Sequence, residues 1–316
     1  MLARGADRPA LGDPMRLPAF VRALRPHQWS KNIFVLAALV FAYGDQQLGF
    51  SIDSTVLMRT AFAVFAFCFG SSAIYLVNDV MDVESDRAHP TKCKRPIAAG
   101  EISVPTAWML AALCASGALA LAWRAGDGAF SVLAIVAAYM TMNLAYSVKL
   151  KHVLLVDAFC IATGFIFRVL GGGLAVGSGV SHWLLLCTLF LALFLALNKR
   201  KAEIALLGDD RESHRKILAQ YTTGFLDQMV SVLASCTIIC YAMYTVDAET
   251  TAKFGSDNMM WTVPFVVFGV GRYMHLVDAH AKGGSPTRIL LGGDGVFLAN
   301  ALGWLAVVVA VVVFKV

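Results

Sequence analysis

The chain has 316 residues, of which 58% are hydrophobic and only 15% charged, with 26 Lys and Arg set against 21 Asp and Glu. That balance excludes an ordinary soluble domain, where about a quarter of residues are charged. The net charge of +5 suits anionic lipid headgroups or phosphate substrates and gives no footprint for nucleic acid, for which no binding module is visible.

In chain order, residues 1–32 carry six basic residues and no apolar stretch of signal-peptide length, so no cleavable leader is expected. Within this leader Leu17, Phe20, Val21 and Leu24 recur at helical spacing while Arg16, Arg22 and Arg25 lie off that stripe, which predicts a short helix on the membrane surface. Residues 1–14 read as a disordered basic tail. Nine apolar stretches then approach the roughly 20 residues needed to cross a bilayer core. They lie near 33–50, 57–77, 104–125, 129–147, 153–176, 181–198, 229–246, 260–278 and 296–314. The expected fold class is all-α: a polytopic membrane protein with the leader at 1–32 and a single transmembrane catalytic domain at 33–316.

Lys and Arg cluster before the first span and in every second connection thereafter, whereas the intervening loops hold only Arg59, Arg124 and Lys253. The positive-inside bias places the N-terminus and these basic connections in the cytoplasm, and an odd number of crossings puts the C-terminus outside the cell membrane. Two of the inward connections, about 79–103 and 199–228, are long and charged, which is where chemistry tends to sit on a rigid scaffold. The seven cysteines form no CxxC pair and read as small core residues. The histidines show no zinc-ligand spacing. A homo-oligomer is compatible with this composition and is not specified by it.

The first charged connection opens with Asn78, Asp79, Asp82, Glu84 and Asp86 and continues with His89, Lys92, Lys94 and Arg95. At 100° per residue, Asp79, Asp82 and Asp86 fall at about 0°, 300° and 340°, with Asn78 at about 260° and Glu84 away at about 140°. Three carboxylates on one face repel one another unless a cation joins them, and oxygen-only ligands select a hard ion such as Mg²⁺, which completes its shell with water and substrate phosphate. The bland alternative is a solvated acidic loop end. Lys92 and Arg95 follow as phosphate contacts, with positive-inside topology as their ordinary explanation. Pro90 and Pro96 keep the segment from continuing as helix.

Further along, Asp157 and Arg168 lie inside the fifth span, where an ionised group normally faces a wet cavity or a partner. They share a face but stand about 16 Å apart along the axis, too far to pair. A ribose hydroxyl or an active-site lysine is the expected partner of Asp157, ahead of a structural bridge. Gly171, Gly172 and Gly173 are expected to end or bend that helix. Gly292, Gly293 and Gly295 lack the Lys and Ser/Thr of a P-loop and read as a flexible loop.

The run N-D-x-x-D-x-x-x-D, followed by Lys92, Arg95, Pro96, Ile97 and Ala98 and set among nine spans, resembles the UbiA superfamily of intramembrane prenyltransferases over residues 16–314. The resemblance implies a helical bundle around a central cavity, open to the cytoplasmic side and laterally to lipid, with Mg²⁺-dependent handling of a diphosphate through Asp79, Asp82 and Asp86. A second family feature, Y-S-x-x-L-K, is present as Tyr146, Ser147, Leu150 and Lys151. The second aspartate motif is not: its place reads Asn198, Lys199, Arg200, Lys201, Ala202, Glu203, and Asp209 and Asp210 lack the right partner.

That departure resembles the branch of decaprenyl-phosphate phosphoribosyltransferases, as do the stretches 24–32, 151–173, 268–277 and 283–286. The implied reaction moves 5-phosphoribose from phosphoribosyl diphosphate to a polyprenyl phosphate, making an arabinose donor for cell-wall glycans. The implied binding set is Lys31, Asn78, Lys92, Arg95, Tyr146, Lys151, Asp157, Lys199, Arg200 and Glu203, with the assignment of cations to phosphates left open. Two rivals stand beside it. An aromatic polyprenyltransferase should show the missing aspartate pair, and a non-enzymatic polyprenyl-phosphate carrier gives no reason for a three-carboxylate face.

Overall fold

A computed structural model describes residues 17–43, 53–126, 131–177, 179–207, 216–280 and 294–314. The predicted basic tail, Asp209, Asp210, Gly292, Gly293 and the stretch 283–286 lie outside the described residues. Among those described, every regular element is helical. They run α1 (Ala19–Leu24), a 3₁₀ segment (Pro26–Leu36), α2 (Ala37–Tyr43), α3 (Ser54–Met81), α4 (Val83–Ala88), α5 (Val104–Ala125) and α6 (Ser131–Val148). Then come α7 (Val156–Val176), α8 (His182–Leu207), α9 (Thr223–Val246), α10 (Ala248–Phe254), α11 (Val263–His280) and α12 (Gly295–Phe314).

Six of these, α3, α5, α7, α8, α9 and α12, are long and apolar enough to cross a membrane. Helices α6 and α11 fall on two further predicted spans. The first predicted span meets the end of the 3₁₀ segment and α2, with its remainder outside the described residues.

Local chemistry sets the helix ends. Asp53 caps α3 by accepting the Val56 N–H at 2.8 Å, Ser103 caps α5 through the Thr106 N–H, and Thr222 caps α9 through the Phe225 N–H. Small residues then decide which helices touch. Ala107, Ala111, Cys114, Ala118, Ala122 and Ala125 form the buried stripe of α5, and it packs on Ala63, Ala66, Gly70 and Ala73 of α3. With lipid outside as apolar as the helix, close backbone approach through small residues is what favours this contact. Large apolar residues such as Met109, Leu113 and Trp123 point outward. Helix α7 lies at the centre, against α3, α6, α8 and the 3₁₀ segment, and a contact between α12 and α2 brings the last helix back to the N-terminal part of the bundle.

Two sequence expectations change in this frame. The glycine run does not end α7, which continues through Gly171–Gly173 to Val176 and stops at Gly177, where φ is 81°. Its purpose is close approach: a Cβ on Gly172 would stand 2.0 Å from the Val35 carbonyl oxygen, and one on Gly171 would stand 2.6 Å from the Phe67 ring. The boundary drawn at 32/33 falls inside the 3₁₀ segment, whose eleven residues far exceed the usual three or four. Trp29 donates to Ser72 at 3.0 Å and Asn32 to the Cys68 sulfur at 3.1 Å, so this segment descends along α3. The leader forms a short helix, α1, with Phe20 on it and Leu17 just before it exposed and Ala23 buried against the bundle.

Candidate functional site

The acidic run sits where α3 gives way to α4. Asp82 ends α3, and the periodicity nearly continues: its N–H reaches the Asn78 carbonyl at 2.9 Å and the Asp86 N–H reaches its own carbonyl at 2.8 Å. Asp79 and Asp86 are buried and share one partner, with Arg95 Nη1 at 3.0 Å from Asp79 Oδ1 and 2.6 Å from Asp86 Oδ2. Arg25 also donates to Asp79 and lies over the Tyr75 ring, 4.9 Å from its centre. Lys92 stands 3.9 Å from Asp86. Asp82 turns to a different helix end, with Lys151 Nζ 3.5 Å from its Oδ1. Glu84 is exposed.

Sequence periodicity thus places Asp79 and Asp86 on a shared face, while the break at Asp82 directs the third carboxylate toward the α6–α7 connection. Among the described residues no three His, Cys, Asp or Glu side chains are grouped so as to hold a metal ion. The donor chemistry nevertheless fits Mg²⁺: three carboxylates in one short segment, two of them already sharing a single cationic nitrogen, with no sulfur or imidazole ligand. The cations that balance them are Arg and Lys, groups that can transfer their hydrogen bonds to phosphate oxygens.

A second cluster joins α7 and α8. Asp157 accepts from Arg200 Nε at 3.0 Å on one oxygen and from the Tyr221 hydroxyl at 2.7 Å on the other. Arg200 also donates to Glu203, and Lys199 lies 3.8 Å from the same carboxylate. The Tyr146 phenol is close enough to act on the Arg200 charge. The Arg200 and Asp157 side chains are 2% and 1% exposed, which makes this a closed bridge. Its partners are thus an arginine and a tyrosine, where the sequence reading favoured a ribose hydroxyl or a lysine. Direct phosphate contact by Arg200 would require it to leave two carboxylates.

Tyr221 was not legible as a site residue, because it lies 64 positions from Asp157 and belongs to no motif. Its hydroxyl also accepts the Leu155 N–H at 3.1 Å. Leu155 has φ 65°, costly for a residue with a Cβ, and the bond from Tyr221 helps hold that turn at the start of α7. Burial, and then the bond to Asp157, push the Tyr221 hydroxyl well above the usual phenol range, so it stays a donor. The second such residue is Arg25, φ 54°, at the joint between α1 and the 3₁₀ segment. The two backbone strains therefore flank the two clusters.

Lys31 belongs to neither cluster. It lies on the 3₁₀ segment next to Asn32, whose Oδ1 accepts from Arg168 Nε at 2.7 Å. Arg168 is buried and also donates to the Gly164 carbonyl at 2.7 Å and the Tyr139 hydroxyl at 2.9 Å.

Against known proteins, the model of the UbiA prenyltransferase family matches residues 32–301. A decaprenyl-phosphate phosphoribosyltransferase of Corynebacterium glutamicum is 36% identical over 92% of this chain and 86% of its own length. One from Mycolicibacterium smegmatis is 33% identical over 98% of this chain and 97% of its own. Among solved structures, a UbiA homolog from Archaeoglobus fulgidus bound to GPP and Mg²⁺ shares the fold, with a TM-score of 0.67 at 18% identity over 93% of this chain and 99% of that one. Six membrane-length apolar helices and a family match over most of the chain make this an integral membrane protein, and it belongs to the UbiA prenyltransferase family of transferases.

Proposed function

We propose that this protein transfers 5-phosphoribose from phosphoribosyl diphosphate to a polyprenyl phosphate of decaprenyl type, releasing diphosphate. The observation that carries this reading is the composition of the α8 end. Where an aromatic prenyltransferase is expected to present a second aspartate pair, this chain presents Lys199 and Arg200, and its nearby carboxylates Asp157 and Glu203 are already bonded to Arg200. Relatives bearing the phosphoribosyltransferase name align over nearly the whole chain and support the same substrates.

Three phosphate groups must be held in such a reaction, and the cations present match that demand. A Mg²⁺ ion held by Asp79, Asp82 and Asp86 would offset negative charge on the departing diphosphate. Arg95, Lys92 and Lys151, which balance these carboxylates in the structure, then turn their N–H groups to diphosphate oxygens. Asn78 and Tyr146 supply neutral donors at the ends of α3 and α6. Lys199 stands at the wall formed by the Asp157–Arg200–Glu203 bridge, which fixes its position. The bond from ribose C1 to the diphosphate oxygen breaks as a phosphate oxygen of the lipid bonds to C1 from the opposite face. That oxygen is already ionised, so the chain needs no general base, and its work is positioning and charge stabilisation. The site opens to the cytoplasmic side of a plasma-membrane protein with nine crossings, in line with the distribution of Lys and Arg.

The test is direct. Purified protein, Mg²⁺, decaprenyl phosphate and ribose-labelled phosphoribosyl diphosphate are incubated, and label is followed into the organic phase. Labelled lipid supports the reading. Absence of labelled lipid, with prenylation of an aromatic acceptor in a parallel arm, would replace it with the aromatic prenyltransferase. Phosphate-lipid binding without either product leaves a carrier.

A further inference from the structure

The interior of the bundle carries positive charge that no carboxylate among the described residues pairs with. Arg168 is buried, and its partners among the described residues are a side-chain amide, a carbonyl and a phenol, all neutral, within a ring of Phe67, Tyr139 and Phe165. Lys31 has no ion pair or hydrogen bond with any described residue, and the charges acting on it are those of Arg168 and Arg25. Two cations of like sign, one without a partner among the described residues, are costly in a helical membrane bundle unless an anion reaches them.

The 3₁₀ geometry says where Lys31 faces. With three residues per turn, Trp29, Asn32 and Val35 form one column, bonded to or buried against α3 and α7. Ser30 and Ile33 form a second, exposed column, Ile33 at 65%. Lys31 shares the third with Phe34, whose ring stands edge-on to Phe165 at 4.9 Å. Phe165 and Arg168 are three residues apart on one face of α7. Lys31 is therefore directed to the α7 side and only partly covered.

Position along α3 sets the 3₁₀ segment further into the bundle than the aspartates, with Arg25, bonded to Asp79, between the two. Trp29 meets Ser72 and Asn32 meets Cys68, seven and eleven residues before Asp79, which is about 10 and 16 Å of helix. We propose that Lys31, backed by Arg168 and held in place by Asn32, forms a subsite for a phosphate monoester that adjoins the aspartate cluster through Arg25 and lies on its interior side. Lys31 touches the phosphate, and Arg168 acts through its field and through the Asn32 amide. Under the proposed phosphoribosyl transfer the monoester is either the 5-phosphate of the donor or the phosphate of the lipid acceptor. Which one rests on that function, but the subsite itself does not.

The experiment uses the full chain in lipid nanodiscs as wild type, Lys31→Met and Lys31→Arg. Thermal stabilisation by farnesyl phosphate, a short phosphate monoester, reads the subsite without turnover. Wild type and Lys31→Arg should be stabilised, and Lys31→Met should need about tenfold to a hundredfold more ligand, the worth of one charged contact. KM then identifies the source: a selective rise for phosphoribosyl diphosphate assigns the 5-phosphate, and one for polyprenyl phosphate assigns the acceptor. Equal stabilisation of all three proteins, or equal losses toward both substrates, overturns the subsite. Because Lys31 makes no bond with any described residue, Lys31→Met should melt no lower than wild type; should it fail to fold, Lys31→Gln carries the same comparison. If wild type shows no phosphoribosyl transfer, the stabilisation arm still decides.

Discussion

The ends of α3 and α8 hold charges of both signs, yet they are built for different work. At the α3 end each aspartate meets cations from outside its own helix: Arg25 and Arg95 at Asp79, Arg95 and Lys92 at Asp86, Lys151 at Asp82. These partners sit on loops and short turns and are partly open to solvent, so they can exchange a carboxylate for a phosphate. At the α8 end Arg200 and Asp157 are sealed, and every oxygen of Asp157 has a partner. A buried pair of this kind fixes geometry and resists exchange, because separating it strands a charge in low dielectric. The difference teaches that charge density alone does not mark a reacting group; the freedom of its partners does.

Breaking the comparison at the exchangeable end should have the largest effect. Asp82 is 33% exposed at its side chain and has one partner at 3.5 Å, so Asp82→Ala should leave the melting temperature nearly unchanged. Transfer should nonetheless fall by about 10³-fold or more, the scale of a lost charge-stabilising group. Retained turnover with Mg²⁺ dependence intact would refute the role given to this carboxylate.

At the sealed end the sign reverses. Arg200→Met should lower stability by about 3 kcal/mol by stranding Asp157, with KM of the surviving folded protein little changed; a selective rise in KM would instead make Arg200 a substrate contact. Gly172→Ala tests the packing that carries the 3₁₀ segment past α7, and its added methyl should cost about 1–3 kcal/mol in denaturation assays. Tyr221→Phe sharpens the account of the bridge, with an expected loss of about 1–2 kcal/mol at neutral pH from one unpaired oxygen and one unpaired N–H. The Tyr221 proton is held more tightly in the folded than in the unfolded chain. The stability it contributes is thus complete below pH about 10 and is lost as pH rises toward its folded pKa. The gap between wild type and Tyr221→Phe should accordingly narrow above pH about 10. Glu84 is exposed, and Glu84→Ala should change stability by less than about 0.5 kcal/mol and turnover by less than a few-fold.

Much of this contrast was legible in the chain. The apolar runs announce membrane helices because a bilayer core demands about 20 such residues, and the spacing of Asp79 and Asp86 announces a shared face. The helix break at Asp82 was not legible, since no proline or glycine marks it. The glycines of α7 were misread for a related reason: glycine permits both a bend and a close approach, and only the Val35 carbonyl beside Gly172 distinguishes them.

By itself, then, the sequence determined the helical membrane architecture, the acidic run followed by its basic loop, and the cationic run Lys199, Arg200 and Lys201. These are properties of neighbours along the chain, set by periodicity and side-chain chemistry. The tertiary structure alone decided which charges are sealed and which are exchangeable: Arg200 with Asp157 and Tyr221, Arg25 with Asp79, Arg168 with Asn32 next to a lysine that has no partner among the described residues. Those pairings join positions 43 to 136 residues apart, and a distance of that kind is fixed by how helices pack, which no local pattern encodes.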